Sequence, residues 1–254
     1  METIKEIAMA IGEALFWFIA VTGLLWLLSG GVVMAKENPP DRVIIGEQTI
    51  QLLQPDGLVK VNGLNPEADE FIESLKKRFK LNVLAIYANE REWNIFVKGL
   101  SKGQPRMVPT LAIISSTTRM EKENYDKKGV VKECKHLNNM VSLAINTLPI
   151  SVLMSKKANE KITEKIGTDV GFSYAINKDV GRYAQDDRSI SFALMTSVNL
   201  HGLRTDSFVT ASALNIGNKF VFLTWFNPDR SRTGIDELKS KSATWLNQMA
   251  SLNK

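Results

Sequence analysis

Few residues in this chain are of a type that could act as nucleophile, general base or metal ligand. Cys134 is the single cysteine, and His136 and His201 are the two histidines among 254 residues. A thiol and an imidazole can form a nucleophile–base pair only if they meet. Cys134 and His136 stand two apart in a stretch of helical spacing, so their side chains diverge by roughly 200°. One Cys and two His cannot supply a His/Cys metal cluster of usual spacing. His201 falls with Gly202 in an expected hairpin turn, where an imidazole is ordinarily solvated. Asp186-Asp187-Arg188 offers two adjacent carboxylates, as a cation site or an acid–base pair would need. Asp at such a place more commonly bonds its own backbone to make a turn. No GxSxG, HExxH or glycine-rich phosphate loop occurs. Trp93, Trp225, Phe226 and Trp245 could line a cleft, but their spacing is that of strand and helix positions in a core. The reading is therefore no catalytic residue, no cofactor-binding residue and no metal ligand.

The elements that would hold these residues can be read from turns and periodicity. Val43 to Ile45, Gly46-Glu47, then Gln48 to Leu53 reads as strand, turn, strand, and Pro55-Asp56-Gly57 turns into a further strand at Leu58 to Val61. Asn65-Pro66 opens a helix with Ala68, Phe71, Ile72, Leu75 and Phe79 on one face. Leu81 to Ala88 is a buried strand, and Met107 to Ser116 another. Between them Glu90 to Lys98 is ambiguous, with Trp93, Phe96 and Val97 spaced for a short helix. Val130 to Ile145 and Ser155 to Ile166 are helical, separated by Pro149.

After Gly167 the pattern changes to strands. Val170 to Ile176, Ser189 to Leu200, Ser207 to Ile216 and Lys219 to Phe226, with turns at His201-Gly202 and Gly217-Asn218, form an antiparallel meander. Thr233 can cap a closing helix whose stripe runs Ile235, Leu238, Ser242, Trp245, Leu246, Met249 and Leu252. Such a stripe must cover a sheet. The fold class is α+β: a mainly antiparallel sheet covered by helices, in a single domain over residues 36–254.

Residues 14–35 stand apart. ALFWFIAVTGLLWLLSGGVVMA carries no charge, and Glu13 and Lys36 bound it. A bilayer core of about 30 Å takes roughly 20 apolar residues as a helix. Two readings remain open. Leu15 to Leu28 is the core of a secretory signal cut after Val33-Met34-Ala35, or the whole run is retained as a membrane anchor. Gly30-Gly31 and the small Ala35 favour cleavage. The acidic start, with Glu2, Lys5 and Glu6, argues for retention. Either way the bulk of the chain is expected in the periplasm or elsewhere outside the cytoplasm, as an exported protein or a single-pass inner-membrane one.

Residues 36–254 keep every base but Lys5 and every acid but Glu2, Glu6 and Glu13, a balance near +7. Lys and Glu are interspersed as on an ordinary solvated surface, and no basic stripe with interleaved aromatics marks nucleic-acid binding. A single cysteine excludes an intrachain disulfide.

The wording DDRSISFALM, then ALNIGNKFVFLTWF, then the helix with Trp245 resembles a group of exported bacterial proteins with no assigned function. QTIQLLQPDGLVKVNG and KLNVLAIYA match the front half of that pattern. More remotely, a meander followed by a long C-terminal helix looks like the PsbP/Mog1-type α/β/α sandwich, a group of binding and assembly proteins. Neither resemblance carries a chemical motif. The expectation is a non-enzymatic envelope protein that binds a partner protein or small ligand. The alternatives are a carboxylate-based hydrolase and an accessory subunit of a membrane complex, the latter held through residues 14–35.

Overall fold

The computed structural model describes residues 41–61, 81–100, 109–146, 173–200, 203–228 and 232–254. The apolar run 14–35, the helix opened by Asn65-Pro66, the helix at Ser155 to Ile166 and the His201-Gly202 turn lie outside them. Among the described residues no helix is long and apolar enough to cross a membrane.

β1 (Asp41–Ile45) and β2 (Gln48–Leu52) form an antiparallel hairpin of their own. Gly46 makes that turn possible. Its φ is +60°, and an added Cβ would stand 2.5 Å from the Glu121 carbonyl oxygen. β3 (Val59–Lys60), β4 (Leu81–Ala88), β5 (Leu111–Thr117), β6 (Ser173–Gln185), β7 (Ser189–Leu200), β8 (Leu203–Ile216) and β9 (Lys219–Asn227) make one seven-stranded sheet. Its order is β3-β4-β5-β9-β8-β7-β6, and every pairing is antiparallel. The expected meander is therefore β6 to β9, with β9 docked on β5.

α1 (Glu90–Leu100), α2 (Thr118–Lys122), α3 (Lys127–Asn146) and α4 (Arg232–Leu252) complete the described elements. Strand alternation assigns the two faces of the sheet. Val221, Leu223 and Trp225 of β9 pack with Ile235, Leu238, Trp245, Leu246 and Met249 of α4. Phe220 of the same strand packs, with Ile190 and Phe192 of β7, against Val130 and Cys134 of α3. Helices on both faces give an α/β/α sandwich within the α+β class, as the closing stripe required.

The hairpin belongs to the α4 side. Ile45, Ile50 and Leu52 are buried in the α4 core, and the Trp245 Nε1–H donates to the Leu53 carbonyl at 2.8 Å. Trp245 meets Trp225 edge-on at 5.8 Å and Tyr87 at 6.4 Å. These aromatics are core, and so is Trp93 of α1.

Several boundaries differ from the sequence reading. β6 runs on to Gln185, where alternation suggested an end at Ile176. Register shifts between Ile176 and Lys178, Asp179 and Gly181, and Arg182 and Ala184 let a strand continue through residues that break the period. β8 begins at Leu203, four residues before the alternating run, because it pairs with β7 along its whole length. α4 already includes Arg232, so Thr233 lies within its first turn and is not its cap. The ambiguous stretch is α1. Asn89 caps it, its side chain accepting from the Glu92 N–H at 3.1 Å, while Glu92 Oε2 accepts from the Thr110 N–H at 2.7 Å and ties the helix to β5.

Candidate functional site

At one end of the sandwich several connections converge. The β6–β7 turn is built by Asp186, whose Oδ1 accepts from the N–H of Arg188, the N–H of Ser189 and the Ser189 hydroxyl. This is a turn-forming carboxylate, with its acceptor already engaged. The β8–β9 turn needs two residues at positive φ, and Gly217 (+52°) and Asn218 (+67°) supply them. The Arg188 carbonyl accepts from the Asn215 N–H at 2.8 Å, linking the two turns.

Two further elements close on them. Leaving α2, the chain is held by Lys219, a buried side chain whose Nζ donates to the carbonyls of Glu121 at 2.7 Å and Glu123 at 2.9 Å. The Tyr125 N–H then donates to the Asn218 carbonyl, and the Tyr125 ring meets Phe220 edge-on at 4.8 Å. At the end of α4, Asn253 acts as a strand would. Its Oδ1 accepts from the Gln51 N–H at 2.7 Å, and its Nδ2 donates to the Gln51 and Met249 carbonyls.

Between these walls lies a half-open groove of about 710 Å³. Asp187 and Arg188 line it from the β6–β7 turn, and Asn215, Ile216, Gly217 and Asn218 from the β8–β9 turn. Tyr125 and Val130 come from the entry to α3, and Ala250, Asn253 and Lys254 from the end of α4. Asp187, Arg188 and Lys254 are exposed. The floor is apolar and the rim carries amides with charges of both signs.

The ionisable groups beside the groove are tied to one another. Arg119 Nε donates to Glu123 Oε1 at 3.0 Å, and its Nη2 reaches Glu133 Oε2 at 3.4 Å. The Tyr125 hydroxyl donates to Glu123 Oε2 at 2.6 Å. The Arg119 hydrogen bond, then the Tyr125 one, lowers the Glu123 carboxyl below its ordinary value. Burial, then the bond to Glu123, raises the Tyr125 phenol.

Cys134 is buried on α3 and faces the sheet, while His136 is half-buried on another side of the helix. Burial, reinforced by Asp186 and Glu133, pushes the thiol up to about 11. A buried thiol raised in this way stays protonated at neutral pH, the less reactive form. Among the described residues no group of three His, Cys, Asp or Glu is placed to hold a metal ion.

Comparison with known proteins adds little. No protein-family model and no curated protein matches the chain. A solved structure, the Saccharomyces cerevisiae Ran-binding protein Mog1p, aligns at 12% identity over 85% of this chain and 92% of that one, with a TM-score of 0.27. A likeness that slight carries no argument about what this chain binds.

Of the groove residues, Asp187 and Arg188 stood out in the sequence, in a run weighed as a cation site or acid–base pair against a turn; the others did not. The turns at Asp187-Arg188 and Gly217-Asn218 were legible as turns. Their adjacency follows from the meander, which puts alternate turns at one end; the closing of the α2–α3 connection and the end of α4 on them was not legible. A signal was available for α1: Asn89 followed three residues later by Glu92 is a capping-box spacing with Asn as the cap.

Proposed function

We infer that this chain is a non-enzymatic bacterial envelope protein that binds a partner protein or a small ligand in the groove at the end of the sandwich. The observation that carries the reading is the construction of the groove. Its walls are clamped by Lys219, by the Tyr125–Asn218 hydrogen bond and by the Asn253–Gln51 pair, so it is formed before anything binds. Preformed walls lower the ordering cost of association. The apolar floor and the exposed Arg188 and Lys254 offer burial and orientation, the ordinary needs of a binding site.

A carboxylate hydrolase would need an acid and a base aimed into that space. Asp187 is the single acidic side chain among the described residues that line it, while Asp186 is engaged in its turn and Glu123 with Arg119 and Tyr125, so no second side-chain carboxylate there is placed to partner Asp187. The envelope location rests on residues 14–35: an exported protein if the run is cut after Ala35, a single-pass inner-membrane protein if it is retained.

Co-purification of the full-length protein from host envelopes tests the reading. A variant carrying Arg188→Ala and Lys254→Ala, with an unchanged thermal midpoint, should retain its bound partner about tenfold less well. Retention at the wild-type level would remove the groove as the binding site.

A further inference from the structure

The solvent face of α3 carries charge of a single sign over its first three turns. Lys128, Val131, Lys132, Lys135 and Asn139 are all exposed. At 100° per residue they fall on one side of the helix within about 100°. The three ammonium groups lie along about 11 Å of helix, and Val131, half exposed at 51%, sits among them. No carboxylate shares the stripe.

The acids nearby are engaged elsewhere. Glu121 accepts from Asn82, Glu123 from Arg119 and Tyr125, and Glu133 from Arg119. Asp126 accepts from the Gly129 N–H, and Asp186 from its own turn. The ammonium groups of Lys128, Lys132 and Lys135 make no hydrogen bond or ion pair among the described residues.

α4 supplies the internal contrast. Its solvent face mixes signs, and Glu237 pairs with Lys241 at i,i+4. On α3, Lys128 and Lys132 stand at i,i+4, and Lys132 and Lys135 at i,i+3, spacings at which like charges repel. A single-sign face that opposes its own helix calls for an anionic counterpart.

We propose that the exposed face of α3 is a docking surface for an acidic segment of a partner protein, with Val131 as its apolar contact and Lys128, Lys132 and Lys135 as its charge partners. This surface is separate from the groove. The apolar side of α3's first turns, with Val130 and Cys134, is buried against β7, β8 and β9, so beside the lysine stripe the helix has no free apolar face to insert among lipids. Its exposed stripe holds no aromatic ring on which a nucleobase could stack. A short acidic segment carrying one apolar side chain matches the length of the stripe and its centre.

The test uses the full-length protein and a fluorescent eight-residue peptide of seven Glu and one internal Leu, followed by anisotropy. Wild type should bind it, with affinity falling steeply as salt rises. The combined Lys128→Gln, Lys132→Gln and Lys135→Gln variant should bind about tenfold more weakly, with a flatter salt dependence and a thermal midpoint no lower than wild type. Val131→Asp should weaken binding with all three lysines present. The Arg188→Ala, Lys254→Ala variant should bind the peptide as wild type does, which separates this surface from the groove. Equal peptide binding by wild type and the lysine variant would overturn the proposal. So would equally tight, lysine-dependent binding to vesicles containing phosphatidylglycerol or to duplex DNA.

Discussion

A thiol and an imidazole two residues apart attract attention in any chain, and here they part, Cys134 toward the sheet and His136 to another side of the helix. Cys134 is buried against Ile190, Phe192 and Phe220, and its thiol is pushed up from 9.0 to about 11. The native protein should react negligibly with iodoacetamide at neutral pH and fully once unfolded in urea; mass spectrometry distinguishes the two. The raised value also has a pH consequence. A group whose folded pKa lies above its unfolded one adds stability below the unfolded value and loses it as pH climbs. The urea midpoint should therefore drop between pH 9 and about 11, and Cys134→Ser should lessen that drop. Glu123 has the opposite sign. Its folded pKa is lowered by Arg119 and Tyr125, so its contribution is present above the ordinary carboxylate range and disappears as pH falls through the lowered value. Glu123→Gln should flatten the acid limb of stability against pH, and an unchanged limb would show that the Arg119 contact is screened away.

At the scale of elements, the account rests on α4 and on the hairpin it holds. Trp245 is 2% exposed, contacts Trp225 and Tyr87, and bonds the Leu53 carbonyl. Trp245→Ala should cost about 3–5 kcal/mol by urea unfolding, and an unchanged midpoint would contradict the docking of α4. Asn253→Ala removes one side chain that satisfies the Gln51 N–H and carbonyl together. A loss of about 1–3 kcal/mol is expected, with faster hydrogen exchange at Gln51.

This is also the scale at which the sequence was most legible. β7 at Ser189 to Leu200 and β4 at Leu81 to Ala88 match their expected bounds to the residue, because strands buried on both faces, as Ser189 to Leu194 and Ala85 to Ala88 are, exclude charge and run small or apolar. The helix stripe of α4 is buried from Ile235 through Met249. β6 was half missed because its alternation is broken by bulges that pairing with β7 tolerates. The groove as a whole was not legible, since the meander places two of its turns at one end but long-range bonds such as Lys219 to Glu121 leave no local pattern.

For the whole molecule, the open matters are location and recognition. The intact mass of the protein from its native host reads the first. A mass without residues 1–35 is expected for cleavage after Ala35, and a mass that includes them would make this a single-pass membrane protein. Recognition is the central claim, and a photo-reactive amino acid reads it directly. Placed at Lys254, in the groove, and irradiated in living host cells, it should give one discrete cross-linked adduct. Placed at Asp236, on the exposed side of α4's first turns and about 27 Å along the helix from Lys254, it should give none. An adduct from Asp236 equal to that from Lys254, or none from Lys254, would contradict the account.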